Sequence, residues 1–183
     1  MIDYRGKFNG TGIMPADILI PKRQFLGKWP VVACDQYTSE PEYWNKTRWI
    51  VGDDPSTLNL VLPEAYLELD KTKPDGISEH TRGMISAIHE CMDSYLTSGL
   101  FDKSIQGFVL TIRTFTQSQD KEKSPRIGLL VSVDLERYEY ASGSESLIRP
   151  TEGTVVDRLP PRVAIRRGSR KISVRLRLRA LRK

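Results

Sequence analysis

The stretch Ser78-Glu79-His80-Thr81-Arg82-Gly83-Met84-Ile85-Ser86-Ala87-Ile88-His89-Glu90-Cys91-Met92-Asp93-Ser94-Tyr95-Leu96-Thr97-Ser98-Gly99 decides the fold. Met84, Ile85, Ile88, Met92, Tyr95 and Leu96 recur at spacings of one, three and four, which traces one apolar face of a helix over about 79–98. Ser78 is placed to cap its start and Gly99 to close its end. Such a face needs a partner, and the next part of the chain supplies strands. Gly107 to Thr116 and Ile127 to Leu135 are rich in β-branched and aromatic residues, and a polar loop at 118–126 separates them. They predict a long antiparallel hairpin over about 107–135. Strands and helices in this order give an α+β (mixed α/β) domain built on a mixed sheet.

Upstream, a second main helix is predicted over about 40–49, ending before Gly52. Ser39-Glu40-Pro41-Glu42 has the form of a capping box, and Pro41 is tolerated in a first turn. Ile18-Leu19-Ile20 reads as a short strand between Pro15 and Pro21, and Lys22 to Pro30 as a loop. Val31-Val32-Ala33-Cys34 reads as a buried strand, and Thr57 to Leu62 as another, stopped by Pro63. Asp53-Asp54-Pro55-Ser56 is a turn and Lys71 to Gly76 a surface loop, with a helical turn between them over Glu64 to Leu69. Val163-Ala164-Ile165 gives one more short strand.

With 183 residues and 39% hydrophobic content, the chain can build one substantial core. Residues 1–167 are expected to form a single domain and 168–183 a separate tail. No apolar run reaches the length of a membrane-spanning helix, and Met1 to Gly6 lacks the pattern of a signal peptide, so a cytoplasmic setting is expected. Cys34 and Cys91 fit reduced thiols. The net charge is +5, yet Arg166 to Lys183 holds nine basic residues and no acid, leaving 19 basic against 23 acidic residues in the rest. The basicity therefore belongs to the tail. Its Arg/Leu alternation has three readings: a nucleic-acid or membrane-surface segment, an amphipathic edge strand, or out-of-frame translation. An acid-free, Arg-rich end on a balanced domain favours the third, a frameshifted or disordered tail.

Two segments have the chemistry of a binding site. In Cys34 to Trp44 an apolar run opens into a helix start, and Asp35, Gln36 and Tyr37 supply an acid, an amide and an aromatic ring. In Arg149 to Arg162, the arginines Arg149, Arg158 and Arg162 alternate with Thr151, Glu152, Thr154 and Asp157. Guanidinium forks and hydroxyls in that pattern suit a phosphate or carboxylate. The competing reading makes the first segment capping and core packing, and the second a set of surface ion pairs. No catalytic residue is identified. His80 and His89 are nine apart and make no helical metal pair, so no metal site is expected, and no cofactor is required. Phosphate-loop, dinucleotide, CxxC and nucleophile-elbow motifs are absent.

Ala33 to Trp44, Pro55-Ser56-Thr57-Leu58, Leu62-Pro63-Glu64, Val133 to Tyr138 and Ile148 to Arg162 together resemble the bacterial and archaeal family of unknown function numbered 1015. The resemblance covers roughly residues 10–167. It implies an uncharacterised protein about twice this long, whose later half carries an Asp-Gly-His-His-Arg motif similar to the ParB and sulfiredoxin-like nucleotide-binding fold that some free-serine kinases use. This chain lacks that motif. The resemblance therefore implies a truncated member without complete catalytic machinery, and the residues of the two segments add the expectation that it binds a small molecule or nucleotide through its phosphate group. Alternatives are part of an ATP-dependent kinase of a serine-like metabolite, with ATP a cofactor of the full-length protein only, and nucleic-acid binding through the tail.

Overall fold

The computed structural model describes residues 10–113, 125–149, 153 and 155–168. The chain divides into two compact units, one of residues 1–19, 104–153 and 175–183, the other of 20–103 and 154–174. The class is α+β. Among the described residues there are three α-helices: α1 (Pro41–Val51), α2 (Glu79–Thr97) and α3 (Leu159–Gly168).

In the second unit, α2 is the spine. Ser78 Oγ accepts the Thr81 amide at 3.1 Å, capping the start as its sequence predicts. Gly99 follows the helix with φ +68°, the left-handed conformation that glycine adopts without strain. Ile85, Ile88, Met92 and Tyr95 are buried against Leu60, Leu62, Ile77 and Leu100. Polar groups drawn into this core are paired. Tyr95 Oη accepts from the Ser56 amide at 2.9 Å and from Asn59 Nδ2 at 3.0 Å. Thr81 Oγ1 donates to the Glu68 carbonyl at 2.8 Å and accepts its amide at 3.1 Å.

α1 begins one residue later than the capping box requires. Its N-cap is Glu40, which makes no side-chain cap hydrogen bond, and Pro41 opens the helix with no amide to satisfy. The Ser39–Glu42 box is therefore not formed. Trp44 is fully buried with Val51 and Leu58, and Val31, Val32, Tyr43, Ala65 and Tyr66 pack around them.

Three short strand expectations are corrected. Val31 to Cys34 has irregular backbone: the Val31 amide donates to Thr57 Oγ1 at 3.2 Å and the Cys34 carbonyl accepts the Glu64 amide at 2.9 Å. Those partners satisfy the backbone without a ladder. Thr57–Leu60 is a 3-10 turn capped by Ser56, whose Oγ accepts the Leu58 amide at 3.2 Å. Val163 to Ile165 lies inside α3, where Ala164 and Ile165 pack on the α2 core.

Of the strands, β2 (Ala16–Pro21) contains the expected Ile18 to Ile20 and pairs with β3 (Phe101–Gly107), a strand that the sequence pattern does not announce. In the first unit, β1 (Ile13–Met14) pairs antiparallel with β6 (Ser132–Val133). The expected hairpin is present as β4 (Val109–Arg113) antiparallel to β5 (Arg126–Leu130), with Leu110 opposite Leu129 and Ile112 opposite Ile127. The described strands thus form three two-stranded sheets in place of one mixed sheet. The physical break lies at short elements: β5 and β6 part at Val131, and a 3-10 turn over Leu135–Arg137 ends the run. Residues 114–124 and 169–183, including most of the hairpin loop and the tail, lie outside the described residues.

Candidate functional site

The site is assembled in the second unit around one carboxylate. Glu64 opens a 3-10 turn, Glu64–Tyr66, directly after the buried Leu62 and Pro63. Its side chain is only 7% exposed, and it faces two arginines, Arg158 just before α3 and Arg162 in the first turn of α3. Arg162 Nη2 donates to Glu64 Oε1 at 2.5 Å, while Arg158 Nη1 sits 2.6 Å from Oε2. The second contact is a charge pair without hydrogen-bond alignment, so among the described residues the buried Oε2 is held by charge alone. Arg158 and Arg162 are four residues apart, the spacing that brings two side chains to one helix face. Both remain partly open, at 40% and 34%. Among the described residues the two guanidiniums share this one carboxylate, so the three side chains together carry one surplus positive charge.

The same 3-10 turn holds the Cys34–Tyr37 loop from two sides. Its Glu64 amide donates to the Cys34 carbonyl at 2.9 Å, and Tyr66 Oη donates its one hydrogen to Asn45 Oδ1 at 2.6 Å, with the Pro41 carbonyl 3.3 Å away as the lesser acceptor. Between those anchors, Tyr37 takes φ +52°, the one non-glycine positive φ among the described residues. That conformation costs a residue with a Cβ on the order of 1–2 kcal/mol. The ring of Tyr37 stacks on Tyr43, centroids 3.8 Å apart at 15°, and Tyr43 meets Trp44 edge to face at 5.5 Å. Tyr37 keeps 43% of its surface exposed. Asp35 and Gln36 are exposed between the anchored Cys34 and this ring.

Electrostatics tie the loop to the cluster. Burial pushes the Cys34 thiol up from its ordinary value, Asp35 and Glu64 push it further, and Arg162 opposes them. Cys34 is thus a neutral thiol at pH 7, the opposite of an activated nucleophile. Cys34 and Cys91 are both free and half-buried. Among the described residues no group of three or more His, Cys, Asp or Glu is arranged for a metal, and no helix is long and apolar enough to cross a membrane.

Of the residues nominated from the sequence, Arg158 and Arg162 meet at Glu64, and Asp35, Gln36 and Tyr37 lie on the loop clamped beside them. Asp157 is exposed and lines a cleft of about 400 Å³ with Lys71, Lys73, Asp75, Val156 and Pro160. Arg149 belongs to the other unit, where its Nε donates to the Ser146 carbonyl at 2.9 Å. Thr151, Glu152 and Thr154 lie outside the described residues. Glu64 is the one member of the cluster that the sequence pattern did not nominate. The signal for it was an acid wedged between Leu62-Pro63 and Ala65, where a charge needs a partner.

Comparison with curated proteins and with solved structures gives no match. A family described as protein of unknown function (DUF1015) matches residues 13–171, which include every described element of this site. The chain is a member of that family.

Proposed function

We propose that the second unit binds a small anionic molecule, one bearing a phosphate or carboxylate group, at Arg158 and Arg162. The single observation that carries this reading is the unbalanced cluster: one nearly buried carboxylate between two half-exposed guanidiniums. Glu64 fixes both arginines by one edge, so their remaining N–H groups are preorganised and little side-chain entropy is lost on binding. The loop anchored at Cys34 and Pro41 lies next to the cluster, since its Cys34 carbonyl accepts the Glu64 amide and its thiol feels the charge of Arg162. Asp35 is exposed to solvent, which weakens its repulsion of an incoming anion.

Titration calorimetry of the whole chain with inorganic phosphate and pyrophosphate tests the reading. Saturable, salt-sensitive binding that falls tenfold or more in Arg162→Ala and in Arg158→Ala is the expected result. Absence of binding by both anions, or binding indifferent to both substitutions, overturns it and leaves the cluster as a brace for α3.

A further inference from the structure

The β4–β5 ribbon of the first unit is open on its more apolar face. With Leu110 opposite Leu129 and Ile112 opposite Ile127, those four side chains share one face, and Val109, Thr111, Gly128 and Leu130 share the other. The second face is covered: Gly128 is buried and the other three are half-buried. The first meets water, with Leu110 and Ile112 61% and 64% exposed and Ile127 and Leu129 38% and 44%. The face with a hydroxyl and a glycine thus turns inward, while four aliphatic side chains turn out. Strands apolar on both faces have the pattern of strands buried on both, and a two-stranded ribbon gains little stability without a cover.

We infer that residues 172–180 of this chain lie along that open face as a strap. They are outside the described residues, so their sequence carries the argument. Ile172, Val174, Leu176, Leu178 and Ala180 alternate with Ser173, Arg175, Arg177 and Arg179. A period of two kept over nine residues is the pattern of a strand with one face buried and one in water. Side chains on one face of a strand stand about 7 Å apart, so the aliphatic row of the strap matches the spacing of Leu110 and Ile112 and of Ile127 and Leu129. Its arginines then face solvent, where their charge is hydrated. Residues 175–183 are grouped with 104–153 in the first unit, so strap and ribbon belong to one compact body. A second copy of the chain is the weaker occupant. The four side chains expose about as much surface as two free aliphatic ones, on the order of 200 Å², whereas a stable association needs about 800 Å² per partner. A segment of the same chain docks intramolecularly and needs far less.

Limited trypsin digestion of the whole chain, followed by mass spectrometry, tests the strap. Leu176→Ser with Leu178→Ser breaks its apolar row, and Leu110→Thr with Ile112→Thr makes the ribbon face polar while keeping β-branched residues. Cuts after Arg175, Arg177 and Arg179 should be about tenfold slower in the natural chain than in either double variant, at a rate independent of protein concentration. The tail variant alters no described contact, and it should also raise the binding of an apolar dye. Equal cutting in the natural chain and the tail variant, or unchanged dye binding, overturns the inference. So does a tail that stays protected when the folded ribbon variant is digested, since the strap then lies elsewhere. Protection that grows with protein concentration, alongside a dimer in sedimentation, assigns the face to a second copy and overturns it too. Protection that appears only with added DNA or anionic vesicles does the same in favour of a polyanion-binding tail.

Discussion

Replacing Glu64 with Gln keeps the shape of the side chain and removes the charge that two arginines share. Burial sets the magnitude. Breaking a fully buried pair costs about 3–5 kcal/mol, because the remaining charge has nowhere to go. Here the carboxylate is 7% exposed, but Arg158 and Arg162 are 40% and 34% exposed and can turn toward water. Most of that penalty is therefore relieved. What remains is the loss of two charge-assisted contacts, about 1 kcal/mol each at this exposure, and a few tenths from the guanidiniums now repelling each other. Glu64→Gln should thus cost about 2 kcal/mol. For a chain of this size that is about 4–8 °C in Tm, or about 1 M in urea midpoint at unchanged slope. Urea unfolding monitored by fluorescence measures it, and a cycle with Arg162→Ala should return a coupling of about 1 kcal/mol. A loss below about 0.5 kcal/mol, or no coupling, would show that the cluster is solvated and braces nothing.

Four other contacts give outcomes of the same kind. Trp44 is fully buried and its Nε1 has no partner among the described residues, so Trp44→Phe removes an unsatisfied donor along with some packing; it should cost under about 1.5 kcal/mol against about 3–5 for Trp44→Ala in urea unfolding. A Cβ on Gly168 would fall 2.0 Å from His89 Cε1, while His89 Nε2 lies 2.9 Å from the Ile165 carbonyl; Gly168→Ala should destabilise by about 1–3 kcal/mol, with much of the loss absent in a His89→Ala background. Arg82 Nη2 donates to both Asp75 oxygens, at 2.7 and 2.8 Å, and holds that carboxyl below the ordinary range, helped by the Ile77 amide. A depressed carboxyl stabilises above its unfolded value of about 3.9 and loses that contribution as pH falls through the folded one, so the stability gap between the natural chain and Asp75→Asn should be flat above about pH 5 and close in more acid solution. Because burial dominates the raised Cys34 thiol, alkylation at pH 8 should be slower than for a free cysteine; Asp35→Asn should speed it and Arg162→Ala slow it further.

The local elements were legible because their signals are local. The apolar stripe of α2, its Ser78 cap and Gly99 stop, the Pro41 start of α1 and the alternation of the β4–β5 pair each reside in a few consecutive residues, and tertiary contacts reinforced them. Part of the candidate site was equally visible: Arg158 and Arg162 as two of the three arginines nominated in the 149–162 segment, and Asp35, Gln36 and Tyr37 as a polar loop before a helix. Their meeting point was not, since nothing near either segment names Glu64 as the partner.

What the sequence determined by itself, then, is the α+β class, the two main helices, the hairpin and the residue types on offer. Only the tertiary structure decided that Val31 to Cys34 and Thr57 to Leu60 are not strands. An apolar alternation suits a strand or an irregular buried segment equally, and the choice fell to hydrogen-bond partners 26 residues apart, at Val31 and Thr57. It also decided that Val163 to Ile165 is helical, because Pro160 and Pro161 tolerate a first helical turn and the α2 core covers Ala164 and Ile165. And it placed a buried carboxylate between Arg158 and Arg162, 94 and 98 residues away in the chain, where a charge taken out of water must find its counter-charge in space.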